Sequence, residues 1–149
     1  MKQPIPKTGL AAQMQRGNLF SDKCPSREVL KHVTSRWGVL VLLALLNGEQ
    51  QRFSALKRKI LGVSEKMLAQ TLQQLESDGF VARTVFPVVP PHVEYALTTN
   101  GVLIARQVVG LADWIEENID QVIQAQEQYH AQQIAGPQHW HRDPAQAVY

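Results

Sequence analysis

The segment formed by residues 52–101 constrains the fold more than any other part of the chain. It reads RFSALKRKILGVSEKMLAQTLQQLESDGFVARTVFPVVPPHVEYALTTNG. A short basic helix is followed by a turn, a second helix and two strands around a proline-rich tip. Gly62 can adopt the left-handed conformation that ends a helix, and the Ser64 hydroxyl can cap the next one. This order predicts a helix-turn-helix with a β-hairpin wing, an arrangement that places one helix in the major groove of DNA.

Residues 64–78 form the predicted recognition helix, whose two faces differ in polarity. Leu68, Leu72 and Leu75 recur at helical spacing on one face. The opposite face carries amides and a lysine but no acid. Gln and Lys side chains can bind base edges and phosphates, although an ordinary solvated helix face is the alternative interpretation. The residues of this helix predicted to contact DNA are Ser64, Lys66, Met67, Gln70, Gln73 and Gln74.

Basic residues on both sides of this helix provide further predicted DNA contacts. Lys57 and Arg58 belong to the preceding helix, where they could contact phosphates and set the register. Arg83 and His92 are expected to flank the wing tip, residues 87–91, which cannot pair as a central strand because proline lacks an N–H. The alternative interpretation is that each of these side chains is an ordinary solvent-exposed charge that binds no DNA.

The rest of the domain is predicted to be helical, so the fold class is mainly α with a small β component (α+β). Residues 25–34 and 37–46 are expected to form two helices, and Pro25 suits the first turn of the first one. Arg52-Phe53 is expected to add a very short strand against the two-stranded wing.

Charge is distributed unevenly, although the net charge is only +2. Residues 23–83 contain ten Lys or Arg and five Asp or Glu, whereas residues 113–127 contain five acids and no Lys or Arg. A basic face is the electrostatic footprint expected of nucleic-acid binding. The sequence has no Gly-rich phosphate loop or nucleophile elbow, so it predicts neither an enzyme nor a cofactor. His139 and His141 have chelating spacing but no accompanying acid or cysteine, so no metal site is predicted.

The predicted C-terminal helix, residues 99–132, is apolar on more than one side, with a bend expected at Gly110. Its own domain can cover only one side, so the pattern predicts a homodimer in which the partner covers the other. Two recognition helices would then lie ~34 Å apart, one turn of DNA. Burial of both sides within one chain is the alternative. The predicted interface residues are Val102, Ile104, Val108, Val109, Leu111, Ile115 and Ile119.

The remaining segments predict one domain with two polar extensions. Residues 1–22 are expected to form an N-terminal arm, residues 23–132 the winged domain with its dimerisation helix, and residues 133–149 a flexible tail. The most apolar run, residues 39–46, is much shorter than the ~20 residues that span a membrane, and the N-terminus lacks the apolar core of a signal peptide. The protein is therefore expected to be cytoplasmic, with no membrane partner.

Several motifs together resemble the HxlR-type family of bacterial transcription regulators, which are relatives of the MarR type. They are Cys24-Pro25, Arg36-Trp37-Gly38, Ser64-Glu65-Lys66-Met67-Leu68, Ser77-Asp78-Gly79-Phe80 and Pro90-Pro91-His92-Val93-Glu94-Tyr95. The resemblance covers residues 24–114. It implies a winged-helix homodimer that binds a palindromic operator, with residues 64–74 as the reading segment. It also implies that some members sense electrophiles or oxidants through a cysteine near the first helix.

Cys24 is the only cysteine of the chain and lies directly before the first predicted helix. Free backbone N–H groups and the helix dipole favour a thiolate there. Lys23 and Arg27 add positive charge, while Asp22 and Glu28 oppose it. Together with the family resemblance, this position predicts a redox sensor whose effector is a small-molecule oxidant or electrophile. A partly buried structural cysteine is the alternative.

The sequence as a whole predicts a sequence-specific transcriptional regulator, a homodimeric repressor whose partner is double-stranded DNA. The alternative is a winged helix used only for protein interaction or dimerisation. Salt distinguishes the two, because binding through several phosphates weakens steeply as the salt concentration rises.

Overall fold

The computed structural model describes residues 18–136. Most of the predicted arm and tail, including His139 and His141, therefore lies outside the described residues. The described part is mainly helical with one small antiparallel sheet, which confirms the predicted fold class. Its elements in chain order are α1 (Pro25–Thr34), α2 (Arg36–Leu45), β1 (Gln51–Arg52), α3 (Phe53–Lys59), α4 (Glu65–Ser77), β2 (Val81–Phe86), β3 (His92–Leu97), α5 (Thr99–Glu117) and α6 (Ile119–Ile134).

The core is built around α2, because nearly all of its residues are apolar. Val41, Leu42 and Leu45 of this helix are completely buried. Each buried leucine or valine contributes roughly 1.5–3 kcal/mol relative to an exposed one. Apolar side chains of α1, α3, the turn after α3, α4, β2 and the first half of α5 complete this core, and these residues are Val33, Leu56, Ile60, Val63, Leu68, Leu72, Leu75, Val81, Ala105 and Val108. The apolar face of α4 is thus anchored in the centre of the domain.

The sheet has the strand order β1-β3-β2, and both pairings are antiparallel. The wing hairpin pairs along its full length, from Val81 opposite Leu97 to Phe86 opposite His92. The predicted short strand is present one residue earlier than expected, since Gln51 and Arg52 pair with β3. Phe53 instead begins α3 and packs against the core.

The turn between α4 and the wing is tied to the start of α5. Gly79 has a φ of 80°, the left-handed conformation that ends α4. The Thr98 hydroxyl donates to the Gly79 carbonyl at 2.6 Å and accepts from the Gly101 N–H at 3.0 Å. The Thr98 N–H donates to the Phe80 carbonyl at 3.0 Å. One threonine therefore caps α5 and fixes the point at which the chain leaves the recognition helix.

The prediction of a single C-terminal helix bent at Gly110 is wrong. The helix passes through Gly110 and ends at Glu117, and a second helix begins at Ile119. Asn118 breaks the run with φ −117° and ψ 13°, and its side-chain amide donates to the Trp114 carbonyl at 2.8 Å. Asparagine side chains compete in this way with the helical backbone bonds. The described residues divide into two compact units, one that ends at Val109 and one that begins at Gly110.

Within residues 18–136, no helix is both long enough and apolar enough to cross a lipid bilayer.

Candidate nucleic-acid interface

The recognition helix α4 begins at a well-formed cap. The Ser64 hydroxyl accepts from the Met67 N–H at 3.1 Å, as the sequence predicts. Glu65 adds a negative charge to the first turn, where the helix dipole favours it. Gly62 precedes this cap with a φ of 89°. The turn from α3 into α4 is therefore set by local chemistry.

The side of α4 that faces away from the core is accessible and polar. Lys66, Gln70 and Gln73 are exposed, whereas Gln74 is half-buried. Met67 keeps 39% of its surface exposed. The structure thus brings most of the predicted contact residues onto one open face, and that face presents hydrogen-bond donors and acceptors without an apolar cover.

An open groove separates α4 from the wing, and it shows where the sequence interpretation of Arg83 is wrong. Arg83 is the third residue of β2 and lies opposite Tyr95, so it is midway along the hairpin and not beside its tip. The residues that line the groove are Ala69, Leu72, Gln73, Glu76, Arg83 and Tyr95. Arg83 therefore faces the recognition helix, next to the predicted contact residue Gln73.

The same groove contains two residues that the sequence interpretation missed, Glu76 and Tyr95. Glu76 lies one turn after Gln73, so the polar face is bordered by an acid and is not free of negative charge. Helical spacing could have revealed this neighbour, because residues three apart share a face. The Glu76 carboxylate lines the same groove as Arg83 and offsets part of the positive charge that the arginine brings there.

The wing tip is apolar and exposed, with His92 at its base as predicted. Val89 is 99% exposed. The His92 ring stacks on Phe86 with a centroid separation of 4.7 Å and an interplanar angle of 17°. Its Nε2 lies 3.5 Å from the Glu94 carboxylate. His92 is therefore held by its own hairpin.

The basic residues of α3, Lys57, Arg58 and Lys59, differ in their exposure and in their contacts with the protein. Arg58 is exposed and Lys57 is half-buried. The neighbouring Lys59 ammonium donates to the Ala44 carbonyl at 3.4 Å, close to the end of α2. A lysine near the last carbonyls of a helix is favoured by the helix dipole. Arg58 is therefore the α3 side chain that is most available to a phosphate.

Cys24 occupies the N-cap position of α1, in extended conformation with φ −78° and ψ 118°. Its thiol is half-buried and free, and its backbone carbonyl accepts from the Arg27 N–H at 3.1 Å. A surface pocket next to it is lined by Asp22, Cys24, Arg27, Glu28 and Lys31. The thiol thus lies among two cationic and two anionic side chains, at a position that solvent reaches.

The predicted dimer residues fall into two groups. In the unit that ends at Val109, Val108 is only 7% exposed and belongs to the core, against which Ile104 also packs. Val108 is therefore already buried within its own chain, while Val102 and Val109 are half-buried. In the described part of the unit that begins at Gly110, the large exposed apolar residues include four that were not predicted, Trp114, Ile123, Tyr129 and Ile134. The full set is Leu111, Trp114, Ile115, Ile119, Ile123, Tyr129 and Ile134.

A capped recognition helix with an accessible polar face, preceded by a short helix and followed by a wing, defines a winged helix-turn-helix regulator. Residues 32–123 match the HxlR-like helix-turn-helix family model. The chain belongs to this family, and it is a transcriptional regulator with a helix-turn-helix domain.

Relatives and solved structures agree with this assignment. The HTH-type transcriptional regulator YtfH of Escherichia coli K12 is 62% identical over 117 residues, which cover 78% of this chain and 92% of the relative. The solved structure of the transcriptional regulator ytfH from Salmonella typhimurium is 64% identical, with a TM-score of 0.71 over 74% of this chain and 98% of that one. The redox regulator HypR in its reduced form is 31% identical, with a TM-score of 0.61 over 67% and 98% of the two chains.

Proposed function

We propose that this protein is a homodimeric repressor that binds a palindromic operator through α4. The observation that carries the proposal is the exposed face formed by Lys66, Gln70 and Gln73. Its side chains suit base edges and phosphates in a major groove. Arg58 and Arg83 lie on neighbouring elements and supply phosphate contacts, which fix the position of a protein on the duplex.

The homodimer is supported by the exposed apolar residues of the second unit. Leu111 and Trp114 are more than half exposed, at 54% and 58%. Ile115 and Ile119 follow on α5 and α6 with 42% and 39% exposed. A cluster of large apolar side chains on a soluble protein marks an interaction site, and a two-fold dimer gives each copy the same complementary surface.

Substitutions on the recognition face test this proposal. Lys66→Ala and Gln70→Ala are each expected to weaken specific operator binding by ~1–3 kcal/mol if the side chain reads a base. If Lys66 binds a phosphate, its loss weakens binding to all sequences and lowers the salt slope by about 1. Fluorescence anisotropy with operator and scrambled duplexes separates these outcomes.

Gln124→Ala is the matched control, because it removes an exposed amide from α6 and is expected to leave affinity unchanged. Unchanged operator binding in both the Lys66 and the Gln70 variants would refute the assigned face. The salt dependence of binding also tests the second function class, a winged helix used only for protein interaction. An apolar protein-interaction module would keep its partner at salt concentrations that release DNA.

Cys24 is proposed as the switch of this regulator. The thiol is half-buried at the start of α1, and it lines a surface pocket together with Asp22, Arg27, Glu28 and Lys31. A related structure is that of a redox regulator in its reduced form. With one cysteine per chain, oxidation by a diazene such as diamide joins two thiols in one S–S bond, and the two hydrogens lost reduce the diazene to a hydrazine. The second thiol comes from Cys24 of the other copy or from a small thiol.

Diamide is expected to weaken operator binding by the wild type and to leave Cys24→Ser unaffected. The serine variant keeps the size and cap position of residue 24 but cannot form a disulfide. Gel shifts before and after treatment measure the effect, and non-reducing mass analysis identifies the product. An equal response of both proteins to diamide would exclude Cys24 as the switch while leaving operator binding itself established.

A further inference from the structure

The large apolar side chains of α4 divide into three that are buried and one that is not. Leu68, Leu72 and Leu75 are at most 1% exposed. Met67, in contrast, keeps 39% of its surface exposed. It precedes Gln70 by three positions, so these two side chains are neighbours on the helix surface. The exposed face of α4 therefore carries one large apolar side chain beside its polar ones.

The backbone of Met67 is held by side chains on both sides. Its N–H donates to the Ser64 hydroxyl at 3.1 Å. Its carbonyl accepts from the Thr71 hydroxyl at 2.7 Å, and Thr71 is only 4% exposed. The next residue, Leu68, is completely buried. The point from which the Met67 side chain starts is thus fixed relative to the core, while the rotatable bonds of the side chain let its end adapt to a partner.

Met67 is the third residue of α4, in the part of a recognition helix whose residues contact base edges in the major groove. The adjacent Lys66 and the neighbouring Gln70 are exposed on the same helix. Of the groups that the four bases present in that groove, only the C5-methyl group of thymine is apolar, and the others donate or accept hydrogen bonds. A thioether has no donor and is a weak acceptor, so it suits the thymine methyl group best.

We propose that Met67 reads thymine, because its side chain packs against the C5-methyl group of one thymine in each operator half-site. The proposal rests on the DNA-binding function proposed above and specifies a base chemistry for it. The contact removes apolar surface of both partners from water, which favours thymine over a base without the methyl group. Burial of one methyl-sized group corresponds to about fourfold in affinity, and to roughly fifteenfold for the two half-sites of a palindrome.

The test removes the methyl group from the DNA and the thioether from the protein, separately and together. Operator duplexes are selected from random sequences with the wild-type protein. Each thymine of a half-site is then replaced in turn by deoxyuridine, which pairs in the same way but lacks the methyl group. We expect one position at which this replacement weakens wild-type binding about fourfold per half-site. Met67→Gln keeps the length of the side chain but has a polar end, and it should bind both duplexes equally.

Two further variants serve as controls. Met67→Leu keeps an apolar side chain and should retain the loss of affinity caused by deoxyuridine. Gln70→Ala removes the neighbouring exposed amide and should weaken binding without changing the response to deoxyuridine at that position. If Met67 had only a structural role, its substitution would lower the affinity for the thymine and deoxyuridine duplexes by the same factor. The same deoxyuridine response in wild type and Met67→Gln at every thymine would therefore overturn the proposal.

The same selection separates the reading of thymine from operator binding itself. If no sequence is enriched, the protein is not a sequence-specific binder, and both proposals are wrong. An enriched site that is weakened by Lys66→Ala and Gln70→Ala would support reading by α4. If the response of that site to deoxyuridine did not depend on Met67, the assignment of thymine to Met67 alone would be refuted.

Discussion

Gly101→Ala is expected to destabilise the protein by about 3 kcal/mol, near the upper end of the cost of overpacking. A Cβ atom at this position would overlap the Phe80 backbone carbonyl and press on the Leu97 side chain. The carbonyl also accepts the Thr98 N–H, so it cannot move away without breaking that bond. For a chain of this size, the loss corresponds to a fall in Tm of about 10 °C, measurable by circular dichroism.

Gly110→Ala is the matched control on the same helix. Apart from its chain neighbours and the backbone of its own helix, no described atom lies within 4 Å of a Cβ placed there. Alanine is favoured over glycine in a helix by ~1 kcal/mol. The Tm of this variant should rise or stay unchanged. If Gly101→Ala and Gly110→Ala had the same Tm, the close approach of α5 to the exit of the recognition helix would be refuted.

Ile115→Glu is expected to convert the proposed dimer to a monomer and to lower operator affinity at least a hundredfold. Ile115 is 42% exposed in the single chain, so the chain tolerates a charge there, whereas a buried interface does not. Two linked recognition helices gain 10²–10⁴ in avidity from their high effective concentration at the second half-site. Sedimentation equilibrium should show a fall from twice the chain mass of 16.7 kDa to that mass.

Two controls make this result specific. Ile115→Leu keeps the apolar surface and should remain dimeric with normal DNA binding. Glu116→Gln removes a charge from the adjacent exposed position, and this variant should also remain dimeric with normal DNA binding. A dimeric Ile115→Glu protein with normal affinity would place the interface elsewhere.

The parts of the fold that depend on local chemistry were predictable from the sequence. Gly62, Ser64 and Gly79 each act through their own backbone or the next turn, and the structure places them as predicted. The apolar face of α4 follows from the spacing of its leucines, and they are buried. The family was recognised from short motifs, and the match over residues 32–123 confirms it.

The errors concern relations between distant segments. The sequence does not reveal the hairpin register, so it predicts Arg83 beside the tip, whereas the pairing with Tyr95 places it midway along the hairpin. In the sequence, Val108 cannot be distinguished from an apolar interface residue. The packing shows that it lies in the core of its own chain. At the helix break, the Asn118 side chain donates to the Trp114 carbonyl, a bond that the apolar spacing of the sequence does not reveal. A hydrogen bond between His32 and Asp78 joins α1 to the end of α4, and no short-range pattern relates these two segments.

The most direct test of the central claim is a DNase footprint of the wild-type protein on the DNA that flanks its own gene. A palindromic site bound by two copies of α4 should give two protected half-sites whose centres are about 10 bp apart, one on each side of a two-fold axis. Protection should disappear in Lys66→Ala/Gln70→Ala and persist in Gln124→Ala. Equal protection in all three proteins, or protection without symmetry, would contradict an operator read by the exposed face of α4.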